Sequence, residues 1–174
     1  MSIEIQHQLF TPEKQLFYPE AEVIAAGIAQ EGDTMVPVSP ETLLLSPLSL
    51  VLSIGESLAA FGRIKGSNEQ KIPVICSEEA PDTPLLAGEY RQLGSLWVHQ
   101  DFRKRGLGKL VIKKLTEEGI RMGLDLYAFC RTLDSAARFT SCGYLEAVAT
   151  YPGLKDPNRP CVVFQPENVV VRAA

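Results

Sequence analysis

Apolar residues change period several times along the chain, and each change marks an element. Over residues 19–31, Val23, Ile24 and Ile28 share one helical face, Pro19 suits the first helical position and Gly32 is a natural stop. Ser39-Pro40-Glu41 reads as a cap opening a short helix that Pro47 ends. Two apolar runs follow, Leu48–Ile54 and Ser57–Ile64, joined at Gly55-Glu56 as a β-hairpin would be. Residues 65–88 hold three prolines, two glycines and four acids and read as a long loop, with Ile72–Cys76 as a short extra strand. A loop of that length in a compact domain often borders a functional site.

Residues 89–99 suggest a strand, with Leu93, Ser95, Trp97 and His99 alternating against Gly94, Leu96 and Val98, and with Gly94 marking a bulge. The clearest helix covers 106–122, where Leu107, Leu110, Val111, Leu115 and Met122 recur at helical spacing. Lys113 and Lys114 precede Glu117 and Glu118 by four residues, which predicts charge pairs on its outer face. Residues 124–131 are apolar enough to be a strand buried on both faces, 134–142 form a short helix stopped at Gly143, and Tyr144–Tyr151 and Pro160–Phe164 are closing strands. The strand–helix–strand at 89–131 predicts a parallel, right-handed crossover.

At 174 residues the chain suits one domain spanning 1–174, and 45% hydrophobic with 22% charged residues is the composition of a soluble globule. Cys76, Cys130, Cys142 and Cys161 are scattered, no CxxC occurs, and there are two histidines. That pattern argues against a zinc site or a disulfide scaffold and fits a reducing cytoplasm. No apolar run approaches the ~20 residues of a membrane helix. The polar opening Met-Ser-Ile-Glu-Ile-Gln-His-Gln does not read as a secretory signal. The net charge of −4 is unevenly spread: residues 1–90 hold 4 Lys/Arg and 13 Asp/Glu, whereas 91–122 hold 8 and 3. An acidic chain with one compact basic stretch is unlike a nucleic-acid binder and more like a protein that grips one anionic small molecule. The oligomeric state stays open, a homodimer included.

Between the strand at 89–99 and the helix at 106–122 lies Arg103-Lys104-Arg105-Gly106-Leu107-Gly108-Lys109. Glycines at the start of a helix that follows a strand make an anion site, because the first turn offers unbonded N–H groups and the positive end of the helix dipole. Flanking Arg and Lys add charge. The string matches neither GxxxxGK[ST] nor GxGxxG, which disfavours a nucleotide-phosphate loop.

Leu96-Trp97-Val98-His99-Gln100-Asp101-Phe102-Arg103-Lys104-Arg105-Gly106-Leu107-Gly108 resembles the acyl-CoA-binding motif of the GNAT superfamily of N-acetyltransferases. Ala136-Ala137-Arg138-Phe139-Thr140-Ser141-Cys142-Gly143-Tyr144 is a weaker match to that family's helix ending in "Gly-Phe". The resemblance covers about 89–145 and implies an α+β fold: a central, mostly antiparallel mixed sheet with one parallel, splayed strand pair, flanked by helices. It implies that backbone N–H groups of Arg105, Gly106, Gly108 and Lys109, with Arg103 and Lys104 beside them, hold the CoA pyrophosphate. It also implies that Leu96 and Val98, flanking Trp97, pair with the pantetheine arm as an added strand would. The activity implied is acetyl transfer from acetyl-CoA, as co-substrate and without a metal, to a primary amine. The acidic N-terminal half points to a cationic acceptor such as a polyamine, an amino-sugar or a peptide amine.

Amide formation from a thioester needs a deprotonated amine, a donor to the developing oxyanion and, for the leaving thiolate, a proton. In the family the oxyanion donor is a backbone N–H, here Val98. The usual acid is a Tyr four residues before the glycine, and that slot holds Phe139. Matching Asp134 to the family's Asn instead moves the slot to Ser141, so Ser141, water or no acid at all remain open. Glu89 is the base candidate by position. Tyr90 and Tyr127 could line the acceptor pocket, and Cys142 lies near the expected thioester end. The competing reading is a non-catalytic acyl-CoA-binding sensor that has lost its acid.

Overall fold

The hairpin forms where the apolar runs place it, as β2 (Leu48–Ile54) and β3 (Ser57–Ile64), turning at Gly55, whose φ of 59° suits glycine. The computed structural model describes residues 4–31, 37–66, 74–77, 80–84, 90–130, 132–150 and 162–164. Alternation along β2 sorts its side chains into two layers. Leu48, Leu50 and Leu52 join one core cluster, and Val51 joins another on the opposite face.

The first layer is capped by α3 (Leu107–Arg121), which buries Leu107, Val111, Ile112, Leu115 and Gly119. This helix lies close on the sheet: a Cβ at Gly62 would stand 2.5 Å from Val111, and one at Gly119 would stand 2.7 Å from Leu126. Met122, expected on the apolar face, lies past the helix end and is exposed. The charge pairs also differ from expectation. Lys114 reaches Glu117 at i+3, 3.5 Å away, and Glu118 pairs with Arg121.

The opposite layer is capped by α1 (Tyr18–Gln30) and α2 (Pro40–Leu44). The buried face of α1 is Ala21, Ile24, Ala25 and Ile28, and Val23, expected inside, is 52% exposed. Small residues take its place because the helix presses on Trp97: a Cβ at Gly27 would stand 2.5 Å from the indole ring. Ser39 caps α2 as expected, its Oγ accepting from the Thr42 N–H at 3.3 Å.

With β1 (Ile5–Phe10), β4 (Val74–Ser77), β5 (Ala80–Pro84), β6 (Tyr90–Val98), β7 (Asp125–Phe129), β8 (Leu145–Thr150) and β9 (Val162–Phe164), the described strands run in the order β1-β2-β3-β6-β7-β9-β8-β4-β5, all antiparallel except β6 against β7. This is the mixed sheet with one parallel pair and helices on both faces that the resemblance implies. Three elements depart from the sequence reading. Strand β1 (Ile5–Phe10) has no regular apolar alternation, because it is an edge strand whose first four residues are exposed and whose buried residue is Phe10. The segment read as a loop contains β4 (Val74–Ser77) and β5 (Ala80–Pro84), so it holds two short strands where one, at 72–76, was expected. Strand β4 pairs with β8 (Leu145–Thr150), a partner some 70 residues away that local pattern cannot reveal. Helix α4 (Leu133–Thr140) and β9 (Val162–Phe164) complete the fold.

Candidate functional site

Strands β6 and β7 pair only at Tyr90–Asp125, Arg91–Leu126 and Gln92–Tyr127. Beyond Gln92 no ladder joins 93–98 to 128–130, and the two strands part. The separation begins where β6 carries a bulge. Against β3, Trp97 pairs with Phe61, but Gly94 pairs with Arg63, so β6 holds one extra residue. The sequence placed this bulge at Gly94. The residue with left-handed backbone is its neighbour Ser95, at φ 51°.

The extra residue reverses the parity of the strand. Below it, the Gln92 carbonyl accepts from Lys65 N–H at 2.8 Å, so even positions face β3. Above it, His99 N–H donates to the Ala59 carbonyl at 3.0 Å and Trp97 opposes Phe61, so odd positions face β3. The N–H groups of Leu96 and Val98 therefore point into the gap on the β7 side. Their side chains pack toward α3, whereas Trp97 is buried against α1 and offers a ligand its backbone only. The Val98 carbonyl already accepts from Arg103 Nε at 3.2 Å.

The strand ends in a 3-10 turn over Gln100–Phe102, and the basic loop follows. Lys104 (φ 61°) and Gly106 (φ 78°) both adopt the left-handed region. Such reversals of hand turn successive N–H groups toward one concavity. The first helical bond is donated by Leu110 to the Gly106 carbonyl at 3.1 Å, so the N–H groups of Leu107, Gly108 and Lys109 lie ahead of it. A Cβ placed at Gly106 would meet no atom within 4 Å, so this crown opens outward with room for an anion.

The cations around the crown divide by partner. Arg103 is ion-paired to Glu31 at the end of α1. Arg105 folds back, donating to the Asp101 carbonyl at 3.3 Å with its guanidinium 5.5 Å from the Phe102 ring centre. Lys104 and Lys109 are exposed, and Leu107 is buried and contributes backbone alone. Arg138, on α4, was not proposed from the sequence. Its Cδ lies 3.3 Å, and its Nη1 3.8 Å, from where a Gly108 Cβ would stand, so the side chain lies over the first turn of α3. The signal for it was the second motif, which brings α4 back beside the loop.

The catalytic candidates fare unevenly. Glu89 lies outside the described residues, as does the side chain of Tyr90. Ser141 sits at the exposed end of α4, its hydroxyl donating to the Arg138 carbonyl at 2.7 Å. Phe139 is buried in the core with its ring centre 5.2 Å from that of Tyr144. Tyr144 shares a 2.6 Å hydrogen bond with Thr116 on α3, and burial pushes its phenol above the ordinary range, although that bond opposes the shift. Tyr127 is buried, and Cys142 packs by α3 with Sγ 3.9 Å from the Lys109 carbonyl. His99 accepts from Asp101 N–H at the start of the 3-10 turn, and His7 is exposed on β1. Among the described residues, no group of three His, Cys, Asp or Glu side chains is placed to hold a metal, and no helix is long and apolar enough to cross a membrane.

The pattern of the Acetyltransferase (GNAT) family matches residues 8–144. No curated protein matches the chain. Solved structures similar in fold include ElaA of Escherichia coli, with 13% identity, TM-score 0.63, and coverage of 92% of this chain and 97% of that one. N-acetylglutamate synthase from Neisseria gonorrhoeae, complexed with coenzyme A and L-arginine, has 12% identity and TM-score 0.59, covering 94% of this chain and 33% of that one. The GNAT family N-acetyltransferase YhbS from Escherichia coli, in complex with CoA, has 12% identity and TM-score 0.57, covering 95% and 82%.

Proposed function

The chain belongs to the acetyltransferase (GNAT) family, and from that premise we propose that it transfers an acetyl group from acetyl-CoA to a primary amine. The observation that carries the reading is the gap between β6 and β7, which opens beside the Gly106–Lys109 crown and into which the Leu96 and Val98 N–H groups point. The pyrophosphate is held by the crown, with Lys104 and Arg138 supplying charge. The pantetheine arm lies along β6.

The amine nitrogen attacks the thioester carbonyl, a C–N bond forms, and the oxyanion is stabilised by the Val98 N–H. The nitrogen then gives up its extra proton to water, the C–S bond breaks and the thiolate leaves. A thiol has a pKa of about 8.5, so this departure near neutral pH does not depend on a strong acid. That matters because the Ser141 proton is directed to the Arg138 carbonyl and Phe139 has none to give. The demanding proton transfer is removal of the ammonium proton, the role assigned to Glu89, directly or through water. The acidic N-terminal half supports a cationic acceptor.

The test is release of CoA from acetyl-CoA in the presence of polyamines, amino-sugars and peptide amines, with CoA binding measured in parallel. Turnover with one class supports the transferase. Tight CoA binding without turnover favours an acyl-CoA sensor, the reading that the buried Phe139 in the tyrosine slot supports.

A further inference from the structure

Arg63 is the largest fully buried side chain among the described residues, at 2% exposure, and it is a charged one. It lies on β3 opposite the bulge. Its Nε donates to Ser95 Oγ at 3.0 Å, and its Nη1 donates to the Thr42 carbonyl at 3.2 Å and to Ser46 Oγ at 3.1 Å. One guanidinium thus ties the end of α2 to the one residue of β6 in a left-handed conformation. A non-glycine residue there is strained, so something must hold it. A charge-assisted bond to the strained residue's own hydroxyl does so.

The consequence reaches the reacting groups through parity. Leu93 faces α3. In a regular strand Ser95 and Trp97 would face the same way, and the Leu96 and Val98 N–H groups would turn toward β3. The extra residue at Ser95 sends Trp97 to the α1 side and swings those N–H groups into the gap. We propose that Arg63 is a positioning residue for acyl transfer: by holding Ser95 it fixes the bulge that turns the Leu96 and Val98 N–H groups into the gap, where the Val98 N–H meets the thioester carbonyl. The proposal rests on the site reading given above.

The probes are CoA and acetyl-CoA labelled with 13C at the carbonyl. The variants are Ser95→Ala, which removes the hydroxyl and keeps the backbone strain, Arg63→Lys, which keeps charge without the fork, and Ser95→Gly, which removes the strain along with the hydroxyl and so needs no tie. Binding should move the carbonyl infrared band of the parent's acetyl-CoA to lower frequency as the N–H groups donate. In Ser95→Ala and Arg63→Lys the band should return toward its free position, whereas in Ser95→Gly it should stay near the parent's. In those first two variants the ratio of acetyl-CoA to CoA affinity should fall about 2–10-fold, the weight of the hydrogen bond lost to the acyl carbonyl alone. A Ser95→Ala protein with the parent's band and the parent's affinity ratio overturns the role of Arg63 alone. A parent that binds acetyl-CoA without any band shift overturns the N–H assignment, and this proposal falls with it.

Discussion

The loop at 103–109 and the strand segment at 93–98 both depend on left-handed backbone, yet they are held in opposite ways. In the loop, Lys104 and Gly106 are exposed, and the reversal is built from neighbours in sequence: the 3-10 turn before it and the helix after it. In the strand, Ser95 is held by Arg63, 32 positions away, and Trp97 is seated by Gly27, 70 positions away. A phosphate crown needs only N–H groups turned outward, which local chemistry supplies. Turning the Leu96 and Val98 N–H groups into the β6–β7 gap needs a strand slipped by one residue between its neighbours, and only packing can hold that.

The largest effect should come from the strand side. Gly27→Ala would gain helix propensity of about 1 kcal/mol but force a methyl to within 2.5 Å of the Trp97 ring. Overpacking of this kind costs about 1–3 kcal/mol or more, so thermal melting should show a clear net loss of stability. An unchanged melting temperature would mean that Trp97 yields easily and that β6 is less rigidly seated than described.

On the loop side, Gly106→Val should cost about 1–2 kcal/mol from left-handed strain, with no clash inside the protein. CoA binding should nevertheless be lost, because the new side chain fills the opening of the crown. A folded variant that binds CoA like the parent would remove the crown from the site.

Lys104→Gly separates charge from backbone in the same loop. Relief of its left-handed strain should raise stability by about 1 kcal/mol, or ~2–4 °C in Tm for a chain of this size. CoA affinity should fall, and fall more at low salt, because an exposed charge is screened over ~8–10 Å at ordinary ionic strength. A loss independent of salt would assign Lys104 a packing role.

The smallest effect concerns the joint between α3 and α4 below the crown. Tyr144→Phe should cost about 0.5–1 kcal/mol at neutral pH for the bond to Thr116. Burial holds the folded phenol above its ordinary range, so the folded state keeps its proton where the unfolded chain has lost it. That stability is fully present below about pH 10 and is lost as pH rises beyond it. Melting curves between about pH 8 and pH 11 should therefore fall less steeply for the Phe variant. Equal slopes would place the Tyr144 hydroxyl in contact with solvent.

Much of this molecule is local and was legible in the chain. The hairpin was bounded by its apolar runs and Gly55, α2 by Ser39 and Pro40, and α3 by its period. The N–H crown was marked by two glycines between a strand and a helix, since free N–H groups at a helix start are a property of the backbone itself. The sequence alone did not locate β1, whose polar edge pairs only because β2 offers it hydrogen-bond partners, nor the pairing of β4 with β8. It offered Arg103 for the CoA pyrophosphate without showing its ion pair with Glu31, and Ser141, beside water or no acid at all, without showing that its hydroxyl donates to the Arg138 carbonyl. It passed over Arg138 and Arg63, because a charged residue in a strand or helix has no meaning until the fold sets something beside it. Ser95 is the clearest case. Gly94 was the residue whose type permits left-handed backbone, but Ser95 adopts it, because the register of β3 and the buried Arg63 decide which position must bend.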